Sequence, residues 1–585
     1  VSIPAALLVL CRTLEDFARA ADAVVEAVAS RPDVDTTTGL LEQFCELRSR
    51  AATAGTGAKG CPVPTGSVGL EILAHVNACN ARIRAGTEAA ERIASYRQTV
   101  DAFGEKFVVH AISNLAAVAS WPSAARLRNA FEGRPAVIVS AGPSLEKNVA
   151  ELRRFEGKAV IIAVSHALRA LHRAGIVPDM CITTDAQDLR YHFEGVPIER
   201  LRALLLGTSV HPALYELPAQ RFVTFAANPM IDSWVYEGLE EDVLIPSAGS
   251  VATDAFSLAT LWGCDPIILV GQDLSFPDGK CYAASGCDGE TRMQISDDGV
   301  SGVHTRASDD FRKIDGDAPV IMRSVPGYYG GTVPTSFAFQ KARTWFIDTV
   351  AAKRPDRSIL NCTEGGAHID GMEHVSLIEA AQRYAVHDVS VDRALEEAIG
   401  AIRPLERRKL TLRRVDEMLA ALTRCTTHAR ECAALADRAK RRPDLLRKLA
   451  ATEGELSGAL GAVHFVSAMM QREIRVATEA GKRASTVSEG LDVSLRMYEA
   501  VMRVVGVIRA PLAQARKALA RQDLRRDLNA DDDCTAAVPR PHPSVGHLDG
   551  SRIDSGNSGT SSASSATSPA ASPQERPHAR RFISS

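Results

Sequence analysis

Along the first 130 positions, apolar residues recur at steps of three and four. LEDFARAADAVVEAVAS (residues 14–30) and IRAGTEAAERIASYRQTVDAF (residues 83–103) both carry this spacing, the mark of an amphipathic helix. A stretch rich in Gly, Pro and Thr, TAGTGAKGCPVPTG (residues 53–66), separates them and predicts a break. From Arg134 the pattern changes. Short, continuously apolar runs alternate with helical ones: AVIVS (136–140), LEKNVAELRRF (145–155), AVIIAVS (159–165), HALRALHRAG (166–175) and MCITTD (180–185). LRALLLGT, RFVTFAA, the helical SVATDAFSLATLW (250–262) and PIILVG (266–271) continue it. PVIMRSV (319–325), the helical TSFAFQKARTWFIDTVAAK (335–353) and SILNC (358–362) bring the region to its end near residue 375. Strands that are apolar throughout and alternate with helices predict a mainly parallel sheet covered on both faces.

Beyond residue 375 the helical spacing returns. Val415, Met418, Leu419, Leu422 and Cys425 would share one helix face, and VSLRMYEAVMRVVGVI repeats the habit. This predicts a helical bundle or packing arm. After Asp531–Asp533 the chain turns to GSRIDSGNSGTSSASSATSPAASPQ, too poor in bulky apolar residues to build a core, and predicted to be disordered. The expected organisation is α/β. A helical region (1–130) precedes a Rossmann-like, mainly parallel central domain (131–375). A helical domain (376–527) and a disordered Ser-rich tail (528–585) follow.

Length agrees with several domains, since 585 residues exceed one ordinary core. Apolar residues at 45% and charged residues at 24% fit a soluble globular protein. A net charge of −3 gives no electrostatic case for nucleic acid or an anionic membrane. The apolar start, IPAALLVLC, is too short to span a bilayer and has no basic residues before it, so it does not read as a secretory signal. Twelve cysteines are scattered without CxxC pairs, and no close His partner stands out. They read as reduced thiols of a cytoplasmic protein.

The best chemical signal is the first strand–helix junction. Gly142 permits a sharp turn, Pro143 suits a first helical turn, and Ser144 can cap the helix or donate to phosphate. Bare amides over Gly142–Leu145 at such a helix head would bind an anion. Later strand ends add polar residues: Ser165-His166, Thr183-Thr184-Asp185, Gly207-Thr208-Ser209 and Gly271-Gln272-Asp273. In a doubly wound sheet, ligands bind beyond the carboxyl ends of the strands. AGSVAT places Gly249 and Ser250 before a helix as a second set of donors. NCTEGGAHIDG offers Glu364, Gly365, Gly366 and His368. For each, a cap or a plain glycine turn is the competing reading.

IVSAGPSLEKNV, AGIVPDMCITTDA, GCDPIILVGQDLSF and LNCTEGGAHIDG occur in that order. Together they resemble the motility accessory factors, flagellin glycosyltransferases whose central domain is shared with archaeal 6-hydroxymethylpterin pyrophosphokinase-like proteins (MptE-like). The resemblance covers roughly residues 90–380. It implies a Rossmann-like domain similar to bacterial sialyltransferases. It also implies transfer of a nine-carbon, sialic-acid-like sugar from its CMP carrier to Ser or Thr of flagellin. Gly142, Pro143 and Ser144 match the end of the sialyltransferase Gly-Asn-Gly-Pro-Ser loop, whereas Ser140 and Ala141 stand where Gly-Asn would. Gly271 and Asp273 match a Gly-x-Asp strand end. Ser165 stands near a second expected asparagine, and Tyr282 near a phosphate-contacting tyrosine. Attack by a hydroxyl needs a base, for which His304 and His368 are candidates and His166 a weaker one. No DxD element stands at these strand ends, so a metal-held nucleotide sugar is not indicated, although Asp185 and Asp273 could hold Mg²⁺. Two alternatives stand beside this reading: a Mg-ATP-dependent pyrophosphokinase and a non-catalytic nucleotide-binding assembly factor.

Overall fold

The structure, a computed structural model, describes residues 5–30, 46–56, 67–228, 231–237, 244–306, 319–353 and 356–521, with positions 43, 59, 239 and 312–313. Most of the predicted break at 53–66 and the predicted disordered tail lie outside the described residues.

Helices α1 (Ala5–Ser30) and α2 (Ser67–Ser113) pack together. The chain then enters strands β1 (Ala136–Val139), β2 (Val160–Val164) and β3 (Met180–Thr183), with the short helices α3 (Leu145–Asn148) and α4 (Leu168–Arg173) between them. Strands β4 (Ala203–Gly207) and β5 (Phe222–Phe225) follow, then helix α5 (Val251–Leu261) and strand β6 (Ile267–Val270). Their residues are buried, as continuous Val/Ile/Leu runs require of a sheet covered on both faces.

With β12 (Ile359–Asn361) and β13 (Glu373–His374), these strands form one sheet in the order β13-β12-β6-β1-β2-β3-β4-β5. Every neighbouring pair is parallel. Val137 of β1 lies opposite both Ile161 and Ile268. The chain runs outward from β1 to β5, then crosses back to place β6 on the other side of β1. The crevice at the carboxyl ends of β1 and β6 is therefore the switch point of the sheet, where doubly wound folds bind ligands.

One predicted strand lies elsewhere. PVIMRSV belongs to β10 (Val320–Pro326), in a separate antiparallel sheet with β7 (Thr291–Ile295), β8 (Ser301–Arg306), β9 (Arg312–Lys313) and β11 (Thr332–Ser336). Only Met322 and Val325 are buried along it, unlike the continuously buried strands of the parallel sheet. Helix α6 (Phe337–Lys353) leads back to β12.

The C-terminal part contains α7 (Pro404–Ala439), α8 (Leu446–Gly461) and α9 (Val487–Arg521). Val415, Met418, Leu422 and Cys425 are buried, and Leu419 packs against the same core. The end of α2 (Val100, Val108, Ile112) and the segment 115–119 share this second core. No described helix is long and apolar enough to cross a membrane.

Candidate functional site

The turn after β1 does not present bare amides. The Gly142 N–H donates to the Gly271 carbonyl (2.9 Å) and the Leu145 N–H to the Gly142 carbonyl (3.1 Å). Ser144 gives its N–H to the Asp273 carboxylate (3.2 and 3.3 Å) and its hydroxyl to Asp273 Oδ1 (2.6 Å). Helix α3 is only four residues long and passes into a 3₁₀ segment, Val149–Phe155, so its dipole is small. Asp273 thus occupies the place expected for a phosphate. Burial raises its carboxyl to about 6, while the Ser144 donors pull it down.

The glycine loop after β12 serves the same internal packing. A Cβ at Gly365 would stand 2.0 Å from Ser144 Oγ, and one at Gly142 2.1 Å from Asp273 Oδ2. Gly366 has φ +70, and the next residue, Ala367, donates its N–H to the Asp273 carbonyl (2.7 Å). The Glu364 carboxylate accepts from the Leu377 N–H and Asn148 Nδ2, both at 3.0 Å. Its carbonyl accepts from Lys147 Nζ and the Tyr329 hydroxyl. Glu364, Gly365 and Gly366 thus form a turn held by internal contacts, off the wall of the crevice.

Neither leading histidine candidate reaches the crevice. His304 lies on β8 opposite Met293, where burial lowers its pKa to about 4. His368 pairs with Asp370 at 3.1 Å and stacks on His374. Pro143, Ser144, Leu145 and Gly249 also lie off the cavity wall.

The crevice itself is open. Its empty space, the open mouth included, is about 1020 Å³. Gly142, Ser165, Asp185, Ser250, Gln272, Asp273 and Tyr282 line it, as the sequence predicts. Several of these are already engaged: Gln272 Oε1 accepts from the Ser140 hydroxyl (2.6 Å), and Asp185 Oδ1 accepts from the Gln187 N–H (2.8 Å). Others are not. The buried hydroxyls of Thr183, Ser275 and Tyr282 have no hydrogen-bond partner among the described residues. Each such group costs about 1–3 kcal/mol until a polar occupant satisfies it. Burial holds the Tyr282 phenol well above its usual range, so it stays a neutral donor.

Helix α5 points its first turn at the same cavity through Ser250, Val251 and Ala252. Ser250 is the N-cap, in extended conformation, and its side chain makes no capping bond. Eleven residues long, this helix carries the anion-binding capacity that α3 lacks.

Opposite lies a cluster that sequence motifs only grazed. His166 Nε2 donates to Asp288 Oδ2 at 2.7 Å, leaving Nδ1 as the lone-pair nitrogen. The Tyr191 hydroxyl donates to the same oxygen at 3.2 Å, and His192 Nδ1 lies 2.9 Å from the Ser165 hydroxyl. The Tyr282 ring stacks on His166 at 4.1 Å. His166, His192, Cys287 and Asp288 also offer ligand atoms within 4.8 Å of one another, a set able to hold a cation. His166, weakest of the three histidine candidates, is the one on the cavity wall. Tyr191, His192 and Asp288 belong to no recognisable spacing in the sequence.

Residues 109–279 match the model of the 6-hydroxymethylpterin diphosphokinase MptE-like family. No curated protein matches the chain. Among solved structures the chain is similar to the MAf glycosyltransferase from Magnetospirillum magneticum AMB-1. That similarity has 16% identity and a TM-score of 0.43, covering 84% of this chain and 72% of the other, and is too distant to carry a function across. The matched residues 109–279 run from the end of α2 to the turn beyond β6 and contain the first three of the four ordered motifs.

Proposed function

We propose that the chain is a transferase that moves a glycosyl group from a nucleotide-activated donor to a hydroxyl acceptor. In its finer form the donor is a CMP-activated nonulosonic acid, the acceptor is Ser or Thr of flagellin, and the setting is the cytoplasm. The finer form rests on the resemblance to motility accessory factors. The observation that carries the reading is the cavity at the switch point, with three orphaned buried hydroxyls on its wall. A polyhydroxylated, phosphorylated ligand would satisfy them.

The residues divide the chemistry as follows. His166 Nδ1 takes the proton of the acceptor hydroxyl, while Asp288 fixes the ring and stabilises the imidazolium that forms. The acceptor oxygen bonds to the anomeric carbon as the bond from that carbon to the phosphate oxygen breaks. The nucleotide leaves with the electron pair. Its growing charge meets the Val251 and Ala252 N–H groups at the head of α5 and the Tyr282 phenol. Asp185 is the wall carboxylate that could engage Mg²⁺.

A diphosphokinase is the second reading, favoured by the family match of residues 109–279. Calorimetry with CMP, CTP and ATP, each with and without Mg²⁺, separates the two. CMP binding without metal supports glycosyl transfer. ATP binding only with Mg²⁺ supports the kinase. Absence of all binding overturns both and leaves a non-catalytic assembly role.

A further inference from the structure

A second constellation of ligating side chains lies far from the crevice in sequence, where α1 packs on α2. Cys11 and Glu15 stand one turn apart on α1, and His75 and Cys79 one turn apart on α2. Residues four apart project from the same helix face, so two facing pairs can converge. Three of the four do. Cys79 Sγ is 3.3 Å from Glu15 Oε2 and 3.6 Å from His75 Nε2, which is 4.0 Å from that same Glu15 oxygen.

These separations can be compared with what a tetrahedral centre demands. Zinc bonds of about 2.3 Å to sulfur and about 2.0 Å to nitrogen and oxygen place ligand atoms roughly 3.3–3.6 Å apart. The triangle already has nearly that size. Cys11 adjoins it, since His75 Nε2 lies 3.4 Å from the Cys11 carbonyl. The supporting sphere is present too. Arg82 donates to Glu15 Oε1 (3.1 Å) and pairs with Asp22 (2.6 Å), as a ligating carboxylate requires.

We propose that Glu15, His75 and Cys79 bind a zinc-class divalent cation, with the Cys11 thiol turning in as the fourth ligand. Thiolate with imidazole selects a borderline or soft ion over Mg²⁺ or Ca²⁺. The ion would staple α1 to α2 beside a small apolar cluster with Leu14, Ala18 and Cys79 at its buried centre. The inference is independent of the proposed transferase activity.

The test uses the full chain, stripped with a chelator and titrated with Co²⁺ and Zn²⁺. The expected result is a thiolate-to-cobalt charge-transfer band and one bound equivalent that disappears in Cys79→Ser and in His75→Gln. Cys287→Ser should keep that equivalent, which separates this site from the cluster in the crevice. Cys11→Ser should weaken the band without abolishing it. His75 is about two-fifths exposed (41%), so its replacement leaves the helix packing in place, and this variant decides if Cys79→Ser does not fold. Equal metal uptake by wild type and His75→Gln would overturn the proposal, as would no uptake by wild type.

Discussion

At the scale of single residues, the sequence exposed which backbone positions are crowded but not what crowds them. Glycine at 142 and 365 is needed because an atom approaches closely, and sequence does not reveal whether that atom belongs to a ligand or to Ser144 and Asp273. Glu364–Gly366 lie off the cavity wall in an internally packed turn, while Tyr282 and Ser165 lie on it. Gly365→Ala should therefore act on stability, lowering it by about 1–3 kcal/mol as overpacking does. Urea unfolding measures this. His166 and Asp288 are 122 positions apart, a pairing no local pattern can show. Under the proposed mechanism, His166→Ala should reduce kcat by roughly 10²–10⁴-fold with nucleotide affinity little changed, and Asp288→Asn should follow it. Initial rates and calorimetry on the same preparations would refute the dyad if kcat held. Asp254, buried in the first turn of α5, carries a pH signature. Burial raises its pKa from 3.8 to about 7, against hydrogen bonds from Ser247 and Thr184. Below about pH 4 folded and unfolded states both hold the proton, and this contribution to stability is complete; it is lost as pH rises through 7. Asp254→Asn removes the loss. Its Tm should match wild type near pH 4 and exceed it by a few degrees at pH 8, roughly 2–4 °C per kcal/mol.

At the scale of elements, the parallel strands were legible because burial on both faces leaves unbroken Val/Ile/Leu runs. PVIMRSV opens with a comparable apolar run, Val320–Met322, but sits in the antiparallel sheet, and so short a run cannot tell these two settings apart. The helices were harder to rank. LEKNVAELRRF reads as one helix, yet it divides into α3 and a 3₁₀ segment. SVATDAFSLATLW, read as the secondary donor set, becomes α5, whose first turn lines the cavity. This shift of the anion-binding end can be tested by a single substitution. Proline is tolerated at the first position of a helix, where it deletes only an N–H that the helix does not use. The preceding residue, Ser250, is already extended at φ −122 and ψ 135, as proline requires of its neighbour. Val251→Pro should accordingly leave the melting temperature near wild type while weakening nucleotide binding. A lost charge-assisted hydrogen bond of about 1.5–3 kcal/mol corresponds to roughly a 10- to 150-fold rise in Kd. Unchanged affinity would move the phosphate away from α5.

At the scale of the whole molecule, the sequence separated a central sheet from helical flanks, but it could not show how closely the flanks are joined to each other and to the sheet. Residues 100–119 read as part of an N-terminal helical region, yet they share a core with α7 and α9 from the far end of the chain. Such pairing depends on complementary apolar faces, and helical periodicity identifies a face without naming its partner. Among the polar fastenings of this junction, one is buried at the end of a helix. Arg407, on α7 and only 5% exposed, donates to the carbonyls of Ala119 (3.2 Å), Val118 (3.0 Å) and Trp121 (3.3 Å). These carbonyls belong to the end of the short helix Leu115–Ser120 and the residue after it, where a cation is favoured. The next residue, Pro122, accepts the N–H of Thr224 in β5, so the fastening connects α7 to the edge of the parallel sheet. Truncation to alanine would strip a charged donor from three carbonyls at once. With a buried unsatisfied group costing about 1–3 kcal/mol and some relaxation toward water, Arg407→Ala should lose about 3 kcal/mol. Arg407→Lys should recover part of this, because one ammonium cannot span three acceptors as a guanidinium fork does. Urea unfolding of both variants, followed by far-ultraviolet circular dichroism, tests the order. If Arg407→Ala stays within about 0.5 kcal/mol of wild type, as an ordinary surface change would, the helical core and the sheet edge are held together by apolar packing instead.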